Sequence, residues 1–491
     1  MKSTVLLGAI GAAGAVIALG QVSDGTPADQ ARIKEKNAAL AAEIADPEMA
    51  ALGGNPDVIV FKISGTANYG PTGGLRAYSV GTTSCNIGTD ILVWQAGNNQ
   101  HPVIGQSMFR AAPGQNGHIR FEQLGQSWLK HGFCALDQNE CGNCQGTGCS
   151  SLGIGCSDPY TASRNGSQSS AGPKWQVNAT TGFFPYPPAN PSYSGSMARR
   201  MQVPLSDVEA ASNPGARYFV DAQYVTPDDN PSVDLIRAAN NASYREMNLS
   251  SSGSLSGYIG ETRQQQPGIY AWREVDPQVK ISWMAVTGMG SAFIGSRAYD
   301  NGNGTWDYEY AVQNLDIDRS IGKVSIPVDP SVVVTAPGFH DVHYHSNDGL
   351  NNVTFDGTDW AYTREADGRV VWQTVQTFAS NPNGNAIRWG NLFNFRYTAN
   401  SGPSGDDGFM ALSFFKDGAG PASANAAIVV PQSADFCLGD FDQDGTVGFS
   451  DLVSLLSEWG FCFNCAQDFD GNFDVNFEDL LTFLSLYGPC P

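Results

Sequence analysis

The sequence predicts a mainly β protein, with antiparallel β-sandwich domains followed by a small all-α module at the C-terminus. Three observations carry this expectation. Apolar and aromatic residues alternate with polar ones at period two through much of residues 57–430, the pattern of a strand with one buried face. Only 15% of residues are charged, whereas glycines number 56, which suits short strands joined by polar turns. Residues 435–491 then switch to helical periodicity, twice over.

The N-terminus reads as a leader. Lys2 precedes an apolar run from Val5 to Leu19, and Ala18-Leu19-Gly20 offers small residues before a cleavage point, so residues 1–20 form a secretory signal peptide. The run is short against the ~20 residues a membrane helix needs; an uncleaved anchor is the alternative. No later segment is long enough to span a membrane. Residues 21–54 carry one helical pattern, with Ile33, Leu40 and Ile44 set against Lys34, Glu35 and Glu43, ended by Pro47 and Gly53-Gly54. This is a linker or propeptide helix. Export makes the ten cysteines disulfide formers, and six sequons, from Asn165 to Asn352, would be glycosylated only in a eukaryotic host.

Residues 57–200 are expected to form a disulfide-stapled β-rich domain. Asp57-Val-Ile-Val-Phe-Lys-Ile opens it, and Ile91-Leu-Val-Trp and His118-Ile-Arg-Phe follow. Cys141, Cys144, Cys149 and Cys156 crowd a Gly-rich stretch, with Cys85 and Cys134 nearby. The Cys-x2-Cys start also suits zinc, but outside the cell thiols oxidise, so three bridges are favoured. Six cysteines allow fifteen connectivities, and none is assigned.

Residues 201–430 are expected to form a β-sandwich. Its strands begin at Lys280, Trp306, Lys323, Val370 and Leu392, and the pair beginning at Gly408 and Ala427 closes it. In the Leu392 run, Phe393, Phe395 and Tyr397 share one face while Asn394 and Arg396 share the other. The boundary at 201 has an alternative in one continuous β assembly from 57 to 430. The net charge of −21 and the isoelectric point near 4.5 argue against nucleic acid and anionic membranes as partners.

Three constellations in the body could carry chemistry. Half of the six histidines lie in the segment His340-Asp341-Val342-His343-Tyr344-His345. On a strand, His343 and His345 would share a face and could bind copper or zinc, with His340, or one of His101, His118 and His131, as a further ligand. The competing reading is a polar strand end bonded to backbone. Asp307 and Glu309 would share a strand face and could be the carboxylate pair of a glycosidase, but alternation alone produces that spacing. Trp175, Phe183, Phe184, Tyr186 and Tyr193 could stack on sugars or pack between domains. No Gly-x-Ser-x-Gly nucleophile motif with its strand-turn-helix setting and no phosphate-binding Gly loop is present. The reading therefore favours a body without its own catalysis.

The most specific signal is a motif repeated at a 28-residue interval in 435–491. A loop wrapped round a hard cation offers oxygens at positions 1, 3, 5, 7, 9 and 12. In the first copy these are Asp440, Asp442, Asp444, the carbonyl of Thr446, Gly448 through water, and Asp451. In the second they are Asp468, Asp470, Asn472, the carbonyl of Asp474, Asn476 and Asp479. Gly445 stands at the sharp turn of the first loop, and Phe473 replaces it in the second, which makes the second site the weaker. Eleven Asp and Glu and no Lys or Arg occupy 435–491, so cations should be part of its folding. The cofactor expected is calcium, two ions.

A single helical pattern follows each loop. Phe449, Leu452, Val453, Leu456 and Trp459 recur as Phe477, Leu480, Leu481, Leu484 and Tyr487. Loop then helix, twice, with Asp at position 12, resembles a type I dockerin, a module that binds a cohesin-like receptor. The flanking cysteines depart from that pattern. A helix from Phe449 to Trp459 is ~15 Å long, so Cys437 and Cys462 would sit at opposite ends of one copy. Antiparallel copies would bring each helix end beside the other copy's loop, which predicts Cys462–Cys465 and Cys437–Cys490.

The body, too, has a resemblance. Ser84-Cys-Asn-Ile-Gly-Thr, Gly125-Gln-Ser-Trp-Leu-Lys-His-Gly-Phe, Gly155-Cys-Ser-Asp-Pro-Tyr, Tyr308-Glu-Tyr-Ala-Val-Gln-Asn-Leu and Ala386-Ile-Arg-Trp-Gly-Asn-Leu-Phe-Asn-Phe resemble recurring phrases of large secreted β-rich proteins of planctomycete-type bacteria. That likeness implies an extracellular β-rich body and no particular activity. The expectation is a secreted, extracellular or cell-surface protein tethered through its C-terminal module to a cohesin-like or other surface protein receptor. The alternatives are a secreted carbohydrate-active enzyme or carbohydrate-binding protein, which would meet extracellular polysaccharide, and a self-associating surface-layer or matrix protein.

Overall fold

Strands dominate the described residues because the period-two runs pair with one another. A computed structural model describes residues 55–404, 408–432, 439–442, 445–462, 465–469 and 474–490. The expected signal peptide and linker helix, and Cys437, Asp444, Asp470 and Asn472, lie outside the described residues. Strand makes up 41% and helix 11% of the described residues, in several antiparallel sheets. The described residues belong to one compact unit, and among them no helix is long and apolar enough to cross a membrane.

Four large sheets build the body, with a two-stranded pairing of Leu92–Val93 and Ser151–Leu152 beside them. The first joins Val58–Thr72, Leu75–Asn86, Met201–Pro204 and Ser157–Tyr160. The second runs Leu255–Arg263, Ala242–Leu249, Arg217–Val225, Val103–Pro113, Leu129–Lys130 and Ala171–Gly172, with Ile119–Gln126 also paired to Val103–Pro113. The third orders Lys280–Val286, Gly290–Asp300, Trp306–Asn314, Asn391–Ala399 and Val334–His340. The fourth orders Ala361–Arg364, Val370–Gln373, Ile321–Ile326, Gly408–Phe414 and Ser423–Ile428.

The expected break at position 201 falls inside the first two sheets. Met201–Pro204 pairs with Leu75–Asn86, and Arg217–Val225 pairs with Val103–Pro113. The sheets change over between Arg263 and Lys280 instead.

Three cores separate the four sheets into layers. Val60, Tyr78 and Val80 of the first sheet meet Ile104, Met108 and Val220 of the second. Tyr308, Tyr310 and Phe395 of the third meet Val324, Trp372 and Leu412 of the fourth. Between these two sandwiches lies a further core, in which Phe109, Phe121 and Phe219 meet Trp272, Phe293 and Leu392. Neighbours along one strand therefore serve different cores, Met108 one and Phe109 the next, as strand alternation requires.

The face that reads as polar in the Leu392 run is consequently covered. Asn394 is buried and its Nδ2 donates to the Phe121 carbonyl at 2.5 Å. Gln123 Oε1 accepts from Leu392 N at 2.5 Å, and Gln223 Nε2 donates to Leu315 O at 2.8 Å. Amide side chains thus supply the hydrogen bonds that buried backbone at a layer boundary must find.

The six body cysteines pair as Cys85–Cys141, Cys134–Cys149 and Cys144–Cys156. The first fastens the loop-rich segment 131–156 to the first sheet's second strand, and the other two close loops within that segment. Loop closure of this kind stabilises chiefly by restricting the unfolded chain.

Buried carboxyls give the body a defined pH response. Burial pushes Asp158 and Asp348 up to about 7 and Asp316 up to about 8. A folded-state value above the unfolded one means stability is lost as pH rises through it. Burial holds His131 near 3 and His345 near 4, so their opposing contribution acts mainly below the unfolded histidine value of about 6.5. Between pH 6.5 and 8 the carboxyls dominate, and the body is expected to lose on the order of 2–3 kcal/mol. Denaturant unfolding across that window checks this, and Asp316→Asn should flatten the slope.

Candidate metal centre

The C-terminal segment folds as two copies related by its 28-residue repeat. Each loop donates a two-residue strand, so the segment is not wholly helical. Thr446–Val447 pairs with Gly488–Pro489, and Gly460–Phe461 pairs with Asp474–Val475. Each copy's loop thereby meets the end of the other copy's helix. The helices run Phe449–Ser457 and Phe477–Leu486; the first stops short of Trp459, with Glu458 as its C-cap. Val447, Leu455, Cys462, Val475 and Phe483 form the buried core. Cys462 is bonded to Cys465. The expected Cys437–Cys490 pair has one member outside the described residues.

In the first loop, Asp440, Asp442 and Asp451 place carboxylate oxygens within 4.8 Å of one another. Gly445, at φ +86°, makes the turn, a left-handed conformation that glycine adopts without steric cost. Its N–H donates to Asp440 Oδ2 at 2.9 Å. Asp451 is fully buried. Its Oδ1 accepts from the N–H groups of Phe441 at 2.6 Å and Asp442 at 3.1 Å, and its Oδ2 from that of Gly448 at 2.8 Å. The position-12 carboxylate therefore closes the loop onto the helix start. An ionised carboxylate has about four acceptor sites, so one remains beside those three bonds.

The second copy repeats the closure. Asp479 is fully buried, with Oδ1 accepting from Phe469 N at 2.7 Å and Oδ2 from Asn476 N at 2.9 Å. Asn476 Oδ1 caps the helix by accepting from Glu478 N at 2.7 Å. Hard oxygen donors crowded in this way suit a divalent cation such as calcium, which neutralises their mutual repulsion. Asp440, Asp442, the Thr446 carbonyl and Asp451 would hold it in the first loop; among the described residues of the second, Asp468, the Asp474 carbonyl and Asp479 are the counterparts of Asp440, Thr446 and Asp451, and Asn476 stands where the first loop has Gly448.

The apolar residues that recur at helical spacing divide between two sides of each helix. Leu455 and Phe483 point into the core, with Leu452 and Leu480 packed against it. Phe449, Val453, Leu456 and Trp459 stay exposed, and so do their repeats Phe477, Leu481, Leu484 and Tyr487. Phe449 is 72% exposed and Phe477 63%. Phe449, Val453 and Leu456 recur at helical spacing along the exposed side of the first helix, and Phe477, Leu481 and Leu484 along that of the second.

The histidine cluster does not converge. The third-sheet strand ends at His340, so His343 and His345 lie in a following loop rather than on one strand face. His345 is buried and donates from Nε2 to the Gln126 carbonyl at 2.6 Å, which fixes its tautomer. His343 is half-buried, and burial lowers its proton affinity. His101 and His131 bond each other at 3.3 Å in a different place, around Phe184. Among the described residues, three His, Cys, Asp or Glu donors come together only at Asp440, Asp442 and Asp451, and at Asp137, Cys144 and Cys156. The latter sulfurs are joined in a disulfide, and this removes them as thiolate ligands.

Glu309 and Asp307 do share a face, that of the third sheet toward the second. Arg120 Nε holds Glu309 at 2.8 Å, and His118 Nδ1 lies 3.1 Å from Asp307. Burial pushes the buried Glu309 carboxyl up to about 7 against the pull of Arg120. Thr398 and Asn301 bonds outweigh burial at Asp307 and hold it below the usual carboxylate range. Both acids are thus tied into the layer boundary. Of the aromatics, Phe184 is buried, while Phe183, Tyr186 and Tyr193 are exposed.

No protein-family model matches the chain, and no curated protein is significantly similar to it.

Proposed function

We propose that residues 435–491 form a calcium-folded docking module of the dockerin kind, which tethers a secreted, disulfide-stapled β body to a cohesin-like or other extracellular protein receptor. One observation carries this reading. A loop that gathers the oxygens of Asp440, Asp442 and Asp451 within 4.8 Å leads directly into a helix whose apolar residues Phe449, Val453 and Leu456 face outward. Cation binding and partner binding would thereby be coupled. The cation cancels carboxylate repulsion, the position-12 carboxylates fix the helix starts, and the paired copies hold the two apolar faces in place. The two-stranded bridges support the same reading, since each copy braces the other's helix end.

Calorimetry on the full chain after chelation is expected to give two calcium ions per chain, the first loop binding the tighter. A pull-down with the full chain should capture a protein receptor in calcium and release it in chelator. Capture that persists in chelator, or an Asp440→Asn/Asp442→Asn variant that still binds two ions, would sink the reading.

A further inference from the structure

A cationic cavity opens in the first sandwich, remote in sequence from the C-terminal loops. It has a volume of about 350 Å³ and is lined by Lys130, Phe133, Tyr160, Arg164, Ser167 and Ser170, together with Gly132, Cys134 and Leu136. That volume lies within the usual range of small-molecule sites, about 300–1,000 Å³. Two cations stand on its walls and no carboxylate does, in a chain where acids outnumber bases 48 to 27.

The two cations share one aromatic ring. Lys130 Nζ is 6.0 Å and Arg164 Cζ 5.8 Å from the Tyr160 centroid, and Phe133 packs against that ring at 4.9 Å. The ammonium of Lys130 bonds Ser170 Oγ. Neither cation makes an ion pair among the described residues. Asp158, on the same strand as Tyr160, is buried and accepts from Leu136 N at 3.1 Å; it does not line the cavity.

The walls are held rigidly. Lys130 sits on Leu129–Lys130, which pairs with Ala171–Gly172. Tyr160 sits on Ser157–Tyr160, which pairs with Leu75–Asn86. The Cys134–Cys149 bridge fastens the segment that carries Phe133. Lys130 itself is only 4% exposed. Burial first, and then the charge of Arg164, push its ammonium down to about 8. A buried cation that burial and a neighbouring cation both disfavour is stabilised by an anion that enters.

We propose that this cavity binds the acidic group of a sugar unit, a uronate carboxylate or a sulfate ester, between Lys130 and Arg164. The sugar ring would lie against Tyr160 and Phe133, with its hydroxyls toward Ser167 and Ser170. Cations select the charge, and aromatic faces select a ring with an apolar side. The site lies wholly in the body, so it stands or falls independently of the calcium reading.

The test is calorimetry of the full chain with a galacturonate trisaccharide, a cellotriose of the same length, and inorganic sulfate. The acidic trisaccharide is expected to bind and cellotriose to bind at least tenfold more weakly. Arg164→Gln, at an exposed position, should weaken the acidic sugar tenfold or more without moving the melting temperature, and Tyr160→Ala should weaken it severalfold. Equal binding of cellotriose would overturn the proposal. So would an affinity unchanged in Arg164→Gln, or inorganic sulfate binding as tightly as the sugar, which would mark an oxyanion site without sugar recognition.

Discussion

Replacing Asp451 by Ala is expected to unfold the C-terminal segment and leave the β body intact. Asp451 accepts three backbone N–H bonds from a fully buried position. Alanine strands those donors, at about 1–3 kcal/mol for each that water does not reach. The segment has little to set against such a loss, because its core contains only five buried apolar side chains among the described residues, and small cores are marginal. The same substitution removes one of the three carboxylate oxygens that lie within 4.8 Å, and with it a ligand of the proposed cation site. Asp451→Asn keeps one oxygen acceptor but turns an amide donor toward another donor, and should be intermediate. Chymotrypsin reads the outcome on the full chain, since 435–491 contains no Lys or Arg for trypsin while Phe449 and Phe477 stand exposed. Rapid cutting at these residues with the body preserved is the expected result. Protease resistance and two bound ions in Asp451→Ala would remove position 12 from the folding account.

What the sequence disclosed depended on whether an interaction is local. The repeat at 28 residues, the turn glycine Gly445 and the position-12 carboxylates Asp451 and Asp479 are all set by neighbours along the chain, and each appears as spacing. The period-two runs disclosed strands in the same way, and Phe393, Phe395 and Tyr397 do share a buried face. The layer between the sandwiches was not legible. Asn394 and Gln123 look like solvent-facing polar residues, and only the stacking of the second sheet on the third turns them into buried partners for backbone groups. The pairing of Met201–Pro204 with Leu75–Asn86 across position 201 was hidden for the same reason, because it joins segments far apart in sequence. His343 and His345 suggested a metal face only on the assumption of a strand that ends at His340. Lys130 and Arg164 left no signal, being 34 residues apart on different elements and brought together by the rim of one cavity.

The stacked layers make the second large expected effect, that of Trp272→Ala. Trp272 is fully buried in the short helix Tyr270–Val275, within the core that joins the two sandwiches. It fills the space above Gly295 so closely that a Cβ there would meet Trp272 Cε3 at 2.7 Å. Removing the indole deletes a large apolar contact and leaves a void between two rigid sheets that cannot collapse onto each other, at a cost of about 3–5 kcal/mol. If the interface core couples the sandwiches, the body of Trp272→Ala still unfolds in a single transition, shifted to lower denaturant. If the sandwiches fold independently, the transition splits and the half containing Trp372 keeps its own midpoint. Gly295→Val approaches the same contact from the other side, by overpacking, and is expected to cost about 1–3 kcal/mol. Because both residues meet at one contact, the double substitution should depart from the sum of the singles. A purely additive result would mean that the indole and the glycine do not share this site in solution, and that the layer between the sandwiches is not the close-packed core that Phe109, Phe219 and Phe293 complete.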